Sequence, residues 1–369
     1  MSNIEDPKVL VVDPGSGWVK AGFAGDDAPA AVVPNVIAKP DNGQAGAVGS
    51  DGYVGAQAVA KGSEATLQHP VQHGVVTDWA ALERVLAHTF REELRVKPAE
   101  YSVLLAHAPG ASREEREKLL ELLFDRFEVR AAQIVPTNVL ALHDYGRATG
   151  LVVDIGDDLT SAAAIHEGQM QERSLFRSEV AGRQVTTAMR HRLAAEGHRL
   201  PHDATQTLAR QIKETIGYIA EDFETEGYRA EEDVSASYRL PDGTSISVGR
   251  ARYEAPEAMF KPAEILNLEC RLDGLAELVK KSVDCTDLDL RTAMVSNIAF
   301  VGGGSLLEGL SERLSLELSH LMAHVNVNVY ARPERRYSAW MGGSALASTS
   351  DTSWITRSAY DEKGSAVLG

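Results

Sequence analysis

Little in this chain ties it to an oxidising compartment, a membrane or a nucleic acid. Only two of its 369 residues are cysteine, Cys270 and Cys285. Two free thiols in so long a chain fit a reducing cytoplasm. No stretch of about 18 apolar residues occurs, so no membrane span is expected. Basic residues are outnumbered, 37 Lys and Arg against 53 Asp and Glu, giving a net charge of −16. That balance argues against nucleic acid or anionic lipid as the main partner. No Cys/His cluster has zinc-ligand spacing. Neither a GxSxG nucleophile turn nor a P-loop pattern is present, so any nucleotide is bound without a P-loop. The polar start MSNIEDPK predicts no signal peptide.

What is present is a turn written twice. VLVVDPGSG covers Val9 to Gly17, and LVVDIGDD covers Leu151 to Asp158. Each is an apolar run, then Asp, any residue and Gly. A buried strand ending this way places a carboxylate at its C-terminal end, and the glycine lets backbone N–H groups approach a ligand closely. Two such turns suggest two similar half-molecules gripping one phosphate chain. A third glycine turn, AFVGGGS at Ala299 to Ser305, is placed to close the pocket from another face.

Asp13 and Asp154 repel a polyphosphate unless a divalent cation intervenes. Mg²⁺ is commonly held by one or two carboxylates, phosphate oxygens and water, so these two aspartates imply Mg²⁺. Gly15, Ser16, Gly17, Gly156, Asp157 and Asp158 are expected to present backbone N–H donors, and Lys20 to offset phosphate charge. Taken singly, each Asp-x-Gly also reads as ordinary strand-to-turn punctuation.

The length favours two domains. Strand patterns alternate with helical ones, which predicts an α/β protein. The segment after the first turn reads as hairpin-rich, and Asp41 to Gly52 as a Gly-rich surface loop. Ser112-x-x-Glu115 is a capping box ahead of Leu119, Leu120, Leu123, Phe124 and Phe127. A helix is expected over about Ala204 to Phe223, with Leu208, Ile212, Ile216, Ile219 and Phe223 on one face. Leu310, Leu314, Leu318 and Leu321 form another stripe. Leu240-Pro-Asp-Gly243 reads as a hairpin turn. By periodicity alone Lys213 and Glu214 lie on a solvated face, as do Arg335 and Arg336, and His73 reads as a surface histidine.

Six segments resemble the actin family: KAGFAGDDAP (Lys20 to Pro29), YVG (Tyr53 to Gly55), HGVVTDW (His73 to Trp79), ELRVKP (Glu93 to Pro98), PERRYSAWMGGSALAS (Pro333 to Ser348) and YDEKG (Tyr360 to Gly364). The resemblance runs nearly end to end, and its divergence fits an actin-related protein, a bacterial one included. It implies the actin-like fold, of the superfamily that also contains hexokinase, with two α/β domains around a nucleotide cleft. The implied subdomains are 1–32 with 70–144 and 337–369, then 33–69, then 145–180 with 270–336, then 181–269. It implies ATP or ADP with Mg²⁺ at Asp13 and Asp154. Gly15, Ser16, Gly17, Lys20, Gly156, Asp157 and Asp158 would line the phosphates. Gly182, Arg210, Lys213, Glu214, Gly302, Gly303 and Arg336 fall where the family contacts sugar and adenine, which for Lys213 and Glu214 outweighs the solvated-face reading. Asp158 replaces a glycine, and Arg336 a lysine.

Two further departures concern hydrolysis. Thr137 stands where actin has the glutamine that helps place the attacking water, and Ser161 where it has the active-site histidine. Losing a general-base contribution costs roughly 10²–10⁴-fold, so binding with slow or altered hydrolysis is expected, unless Asn138 or Asp158 substitutes. Assembly is implied as well. The Asp41 to Gly52 loop corresponds to a filament contact and has little apolar area to bury. Glu264 to Gly274 corresponds to a cross-strand plug, its leucines either making lateral contacts or packing internally. The leading expectation is a cytoplasmic, cytoskeletal protein that self-associates into nucleotide-dependent filaments. The alternatives are a monomeric nucleotide-binding scaffold and a small-molecule kinase. ATP over GTP rests on the resemblance alone.

Overall fold

The computed structural model describes residues 8–40, 52–61, 65–201, 205–269, 271–322, 325–349 and 353–368. The expectations for the loop at 41–51 and for Cys270 lie outside these residues. The chain divides into two compact units: residues 1–148, 165–170 and 337–369, and residues 149–164 with 171–336.

The first unit contains a six-stranded sheet in the order Ile355–Thr356, Ala131–Pro136, Ser102–His107, Val9–Pro14, Trp18–Phe23, Ala31–Pro34. Val9–Pro14, Ser102–His107 and Ala131–Pro136 run parallel. Strands covered on both faces need unbroken apolar runs, and Val9 to Val12 and Val103 to Ala106 are buried without a break. Because these strands are parallel, their carboxyl ends share one edge of the sheet. Asp13, His107 and, at the start of helix Thr137–Asp144, Thr137 therefore lie along that edge. The segment after the first turn forms the expected antiparallel meander. From helix Ser338–Ala347, the buried Trp340 donates its indole N–H to Val11 O at 3.0 Å. A Cβ at Gly342 would stand 1.8 Å from Leu140 O, so only glycine lets this helix approach the other. A three-stranded sheet of Tyr53–Val54, Ile37–Pro40 and Ala65–Gln68 belongs to the same unit.

Ser112 caps helix Arg113–Glu121 by accepting from the Glu115 N–H at 3.1 Å. The box is not closed by Glu115, whose carboxylate instead accepts from the Val76 N–H at 2.9 Å. Val71–Gln72 and Val75–Val76 form a small hairpin whose turn residues, His73 and Gly74, both have positive φ (49° and 74°). His73 is thus a half-buried turn residue.

In the second unit Gly150–Ile155 pairs parallel with Ile298–Val301, which pairs parallel with Val329–Tyr330. Asp154 and the Gly302–Gly304 turn consequently share one sheet edge. The hairpin at Leu240-Pro-Asp-Gly243 forms, with Gly243 at φ 89°. The helix expected over 204–223 is shorter, Thr205–Ile216. Gly217 ends it, donating to Lys213 O at 3.0 Å, and the chain then runs extended, with Ile219 N–H donating to Glu308 O at 2.8 Å. Ile219 is buried from this extended segment, not from the helix face that periodicity suggested. Leu310, Leu314 and Leu318 are fully buried, but Leu321, at the helix end, is exposed. In the Glu264 to Gly274 segment Ile265 is buried and Leu266 packs on the core, whereas Leu268 and Leu272 are exposed. Among the described residues no helix is long and apolar enough to cross a membrane.

Candidate functional site

In the first unit, Gly15 to Gly17 join Val9–Pro14 to Trp18–Phe23. Asp13 and Lys20 are cross-strand partners in that hairpin. Lys20 Nζ donates to Asp13 Oδ2 at 2.6 Å, and the carboxylate is almost wholly buried while the ammonium remains partly accessible. A buried carboxylate needs such a partner. Asn35, fully buried just beyond the third strand, donates its side-chain N–H to Gly15 O at 2.9 Å and its backbone N–H to Gly17 O at 3.0 Å. On the same sheet edge Thr137 is half-buried. Asn138 is buried, donating to Met170 Sδ at 3.2 Å and accepting from the Val139 N–H at 3.1 Å. His107, its ring against Ala108 O at 2.8 Å, has its pKa lowered to about 4, chiefly by burial, so it is neutral at physiological pH.

The second turn is wired differently. The Gly156 N–H donates to Leu159 O at 2.9 Å and is spent inside the turn. The first N–H groups of helix Gly182–Ala195 then meet the turn's carbonyls: Gly182 N–H donates to Gly156 O at 3.1 Å and Arg183 N–H to Asp157 O at 2.6 Å. The Arg183 guanidinium donates to Asp157 Oδ2 at 2.8 Å and to Asp158 Oδ2 at 3.3 Å. Gln184 reaches Asp158 Oδ1 at 3.5 Å. The almost fully buried Asp158 carboxylate therefore faces a cation from a neighbouring helix. Ser161 is buried in the strand Thr160–His166, opposite Arg177.

Gly302, at φ 91°, has no room for a side chain: a Cβ would lie 2.3 Å from Asp154 Oδ1 and from Ile155 O. The glycine turn thus packs directly on the Asp154 carboxylate, while Gly303 is exposed beside it. Arg335 fixes that turn. Its carbonyl accepts from the Gly302 N–H at 3.0 Å, and its guanidinium donates to Ser305 Oγ and Ser305 O, each at 2.9 Å. Arg336, the residue the resemblance implies at the base, is exposed.

Lys213 and Glu214 part company on helix Thr205–Ile216. Glu214 is exposed and accepts from Arg210 Nε at 2.8 Å. Lys213 is buried, and its Nζ donates to Gly182 O at 2.7 Å. Burial lowers its pKa to about 8, against the opposing pull of Glu214 and Asp157.

Among the described residues no group of three or more His, Cys, Asp or Glu is arranged to hold a metal. Mg²⁺ bound by one or two carboxylates and otherwise by water and phosphate needs no such group. The Gly302 cradle shows a site shaped around the Asp154 carboxylate, and the Asp13–Lys20 pair supplies one anionic and one cationic group; both fit a magnesium polyphosphate. Asn35, Arg183 and Arg335 organise these turns yet carry no signal in the sequence, since their partners lie 20 to 30 positions away. The actin family model matches residues 4–369, and the chain belongs to the actin family.

Proposed function

We propose that the protein binds ATP or ADP with Mg²⁺ and self-associates into filaments under nucleotide control, in the cytoplasm as part of a cytoskeleton. The observation that carries the nucleotide reading is the placement of Asp13 and Asp154, each at the carboxyl end of a parallel strand, where open α/β sheets bind ligands. In this reading Asp13 and Asp154 hold Mg²⁺, and Gly15, Ser16, Gly17, Lys20, Gly156, Asp157 and Asp158 line the phosphates. Gly182, Lys213, Glu214, Arg210, Gly302, Gly303 and Arg336 serve the nucleoside end. The four-part subdomain division given by the resemblance is part of the same proposal. Mg²⁺ held there would supply charge neutralisation of the phosphates.

Hydrolysis is proposed to be slow. Thr137 and Ser161 lack a base of suitable pKa, Asn138 is occupied by Met170 and its own helix, and Asp158 is occupied by Arg183. Single-turnover phosphate release at the rate of ordinary actin would contradict this.

Assembly is tested by light scattering against protein concentration in Mg-ATP and in Mg-ADP. A threshold concentration lower in ATP supports nucleotide-governed polymerisation. A flat signal with nucleotide bound favours the monomeric scaffold instead. The exposed Leu268 and Leu272 favour the filament reading, because apolar side chains left at the surface gain from burial against another subunit.

A further inference from the structure

We infer that Asn35 is the positioning residue that turns the first Asp-x-Gly loop into an anion site. The inference rests on the nucleotide reading above and deepens it.

Asn35 is fully buried and grips two carbonyls of one short loop, Gly15 O and Gly17 O. Among the described residues there are no cis peptide bonds. In a trans peptide the C=O and N–H of one unit point in opposite directions. Drawing the Gly15 carbonyl towards Asn35 therefore turns the Ser16 N–H to the opposite side of the loop. The bond to Gly17 O anchors the far end of the loop. The Gly15–Ser16 peptide is thus set with its carbonyl on the Asn35 side and its N–H on the other, which offers the Ser16 donor to an anion.

At the second turn the carbonyls are held by another route. There the N–H groups of Gly182 and Arg183, at the start of a 14-residue helix, hold the carbonyls of Gly156 and Asp157. Among the described residues no helix start donates to the carbonyls of the first turn. A single asparagine supplies the corresponding two donors, one from its side chain and one from its backbone.

Asn35 is also held at a cost. Its Oδ1 is buried with no hydrogen-bond partner, which is unfavourable for an acceptor. A residue selected for packing alone would not carry that group. Asn35→Leu keeps the branch at Cγ and removes both the orphan acceptor and the side-chain donor, while adding volume at a buried position. Melting without nucleotide therefore separates positioning from folding.

The test measures binding of Mg-ATP, Mg-ADP and adenosine by calorimetry to the parent chain and to Asn35→Leu, with thermal melting of both without nucleotide. Expected are a cooperative melt in the variant, similar adenosine binding, and Mg-ATP affinity weakened about 10- to 100-fold, the loss of one charge-assisted hydrogen bond. In the parent, hydrogen exchange at the Ser16 amide is expected to slow with Mg-ATP and not with adenosine, a readout that does not depend on the variant's folding. Unchanged ATP affinity in a folded Asn35→Leu, or a Ser16 amide indifferent to ATP that does bind, would overturn the positioning role alone. No ATP binding by the parent would overturn the nucleotide reading and this inference with it.

Discussion

At the first turn Asp13 meets one cation, Lys20, across the same hairpin; at the second, Asp157 and Asp158 share Arg183, which arrives 25 to 26 positions later on a helix. The first turn is completed by side chains on its own sheet and by Asn35. The second is completed by the start of a helix, by the glycine turn at Gly302 and by Arg335. Similar residues around an Asp-x-Gly core thus acquire different electrostatics: one buried carboxylate balanced by one ammonium, against two adjacent carboxylates sharing one guanidinium. The lesson is that the motif fixes where a carboxylate goes, while its charge balance comes from outside the motif.

Four perturbations bear on that contrast. The largest effect is expected at Gly302→Val. A side chain there collides with Asp154 and Ile155 at a backbone angle that favours glycine, so thermal unfolding should show a loss of about 4 kcal/mol or more. Next is Arg183→Gln, which removes the guanidinium that Asp157 and the buried Asp158 share. About 3 kcal/mol should be lost, and Asp158→Asn should restore part of it in a denaturant double-mutant cycle. No such coupling would mean that the Asp158–Arg183 contact carries no energy and the contrast between the turns is only geometric.

Lys20→Met should cost less, about 2 kcal/mol, because its ammonium is partly exposed. It should also weaken Mg-ATP more than adenosine in calorimetry. The smallest effect concerns pH. The Lys213 pKa is lowered to about 8 in the folded chain from 10.5. The unfolded chain therefore binds more protons between these values, and stability rises with pH through that window. Between pH 7 and 9 the rise should be about 1 kcal/mol, read as the difference between the parent and Lys213→Met in denaturant titrations.

Much of this was legible because it depends on neighbours in sequence. Val9 to Val12 read as a buried strand, Leu240 to Gly243 as a hairpin turn and Ser112 as a cap, since apolar runs, turn residues and caps act over a few positions. The stop at Gly217 was missed because Ile219 and Phe223 continue the helical spacing, and a single glycine does not reveal that the following segment has an extended partner at Glu308. Leu321 continued the stripe in sequence after the core had ended.

By itself the sequence determined the α/β class, the two carboxylates at strand ends, the glycine turns and membership of the actin family. Only the tertiary structure decided that Lys213 is buried while Glu214 is exposed, that Asp158 answers to Arg183, and that Asn35 holds the first turn. The physical reason is range. Backbone propensity and periodicity are set by residues within a turn or two, whereas burying a charge or orienting a peptide depends on donors brought in from elsewhere in the fold.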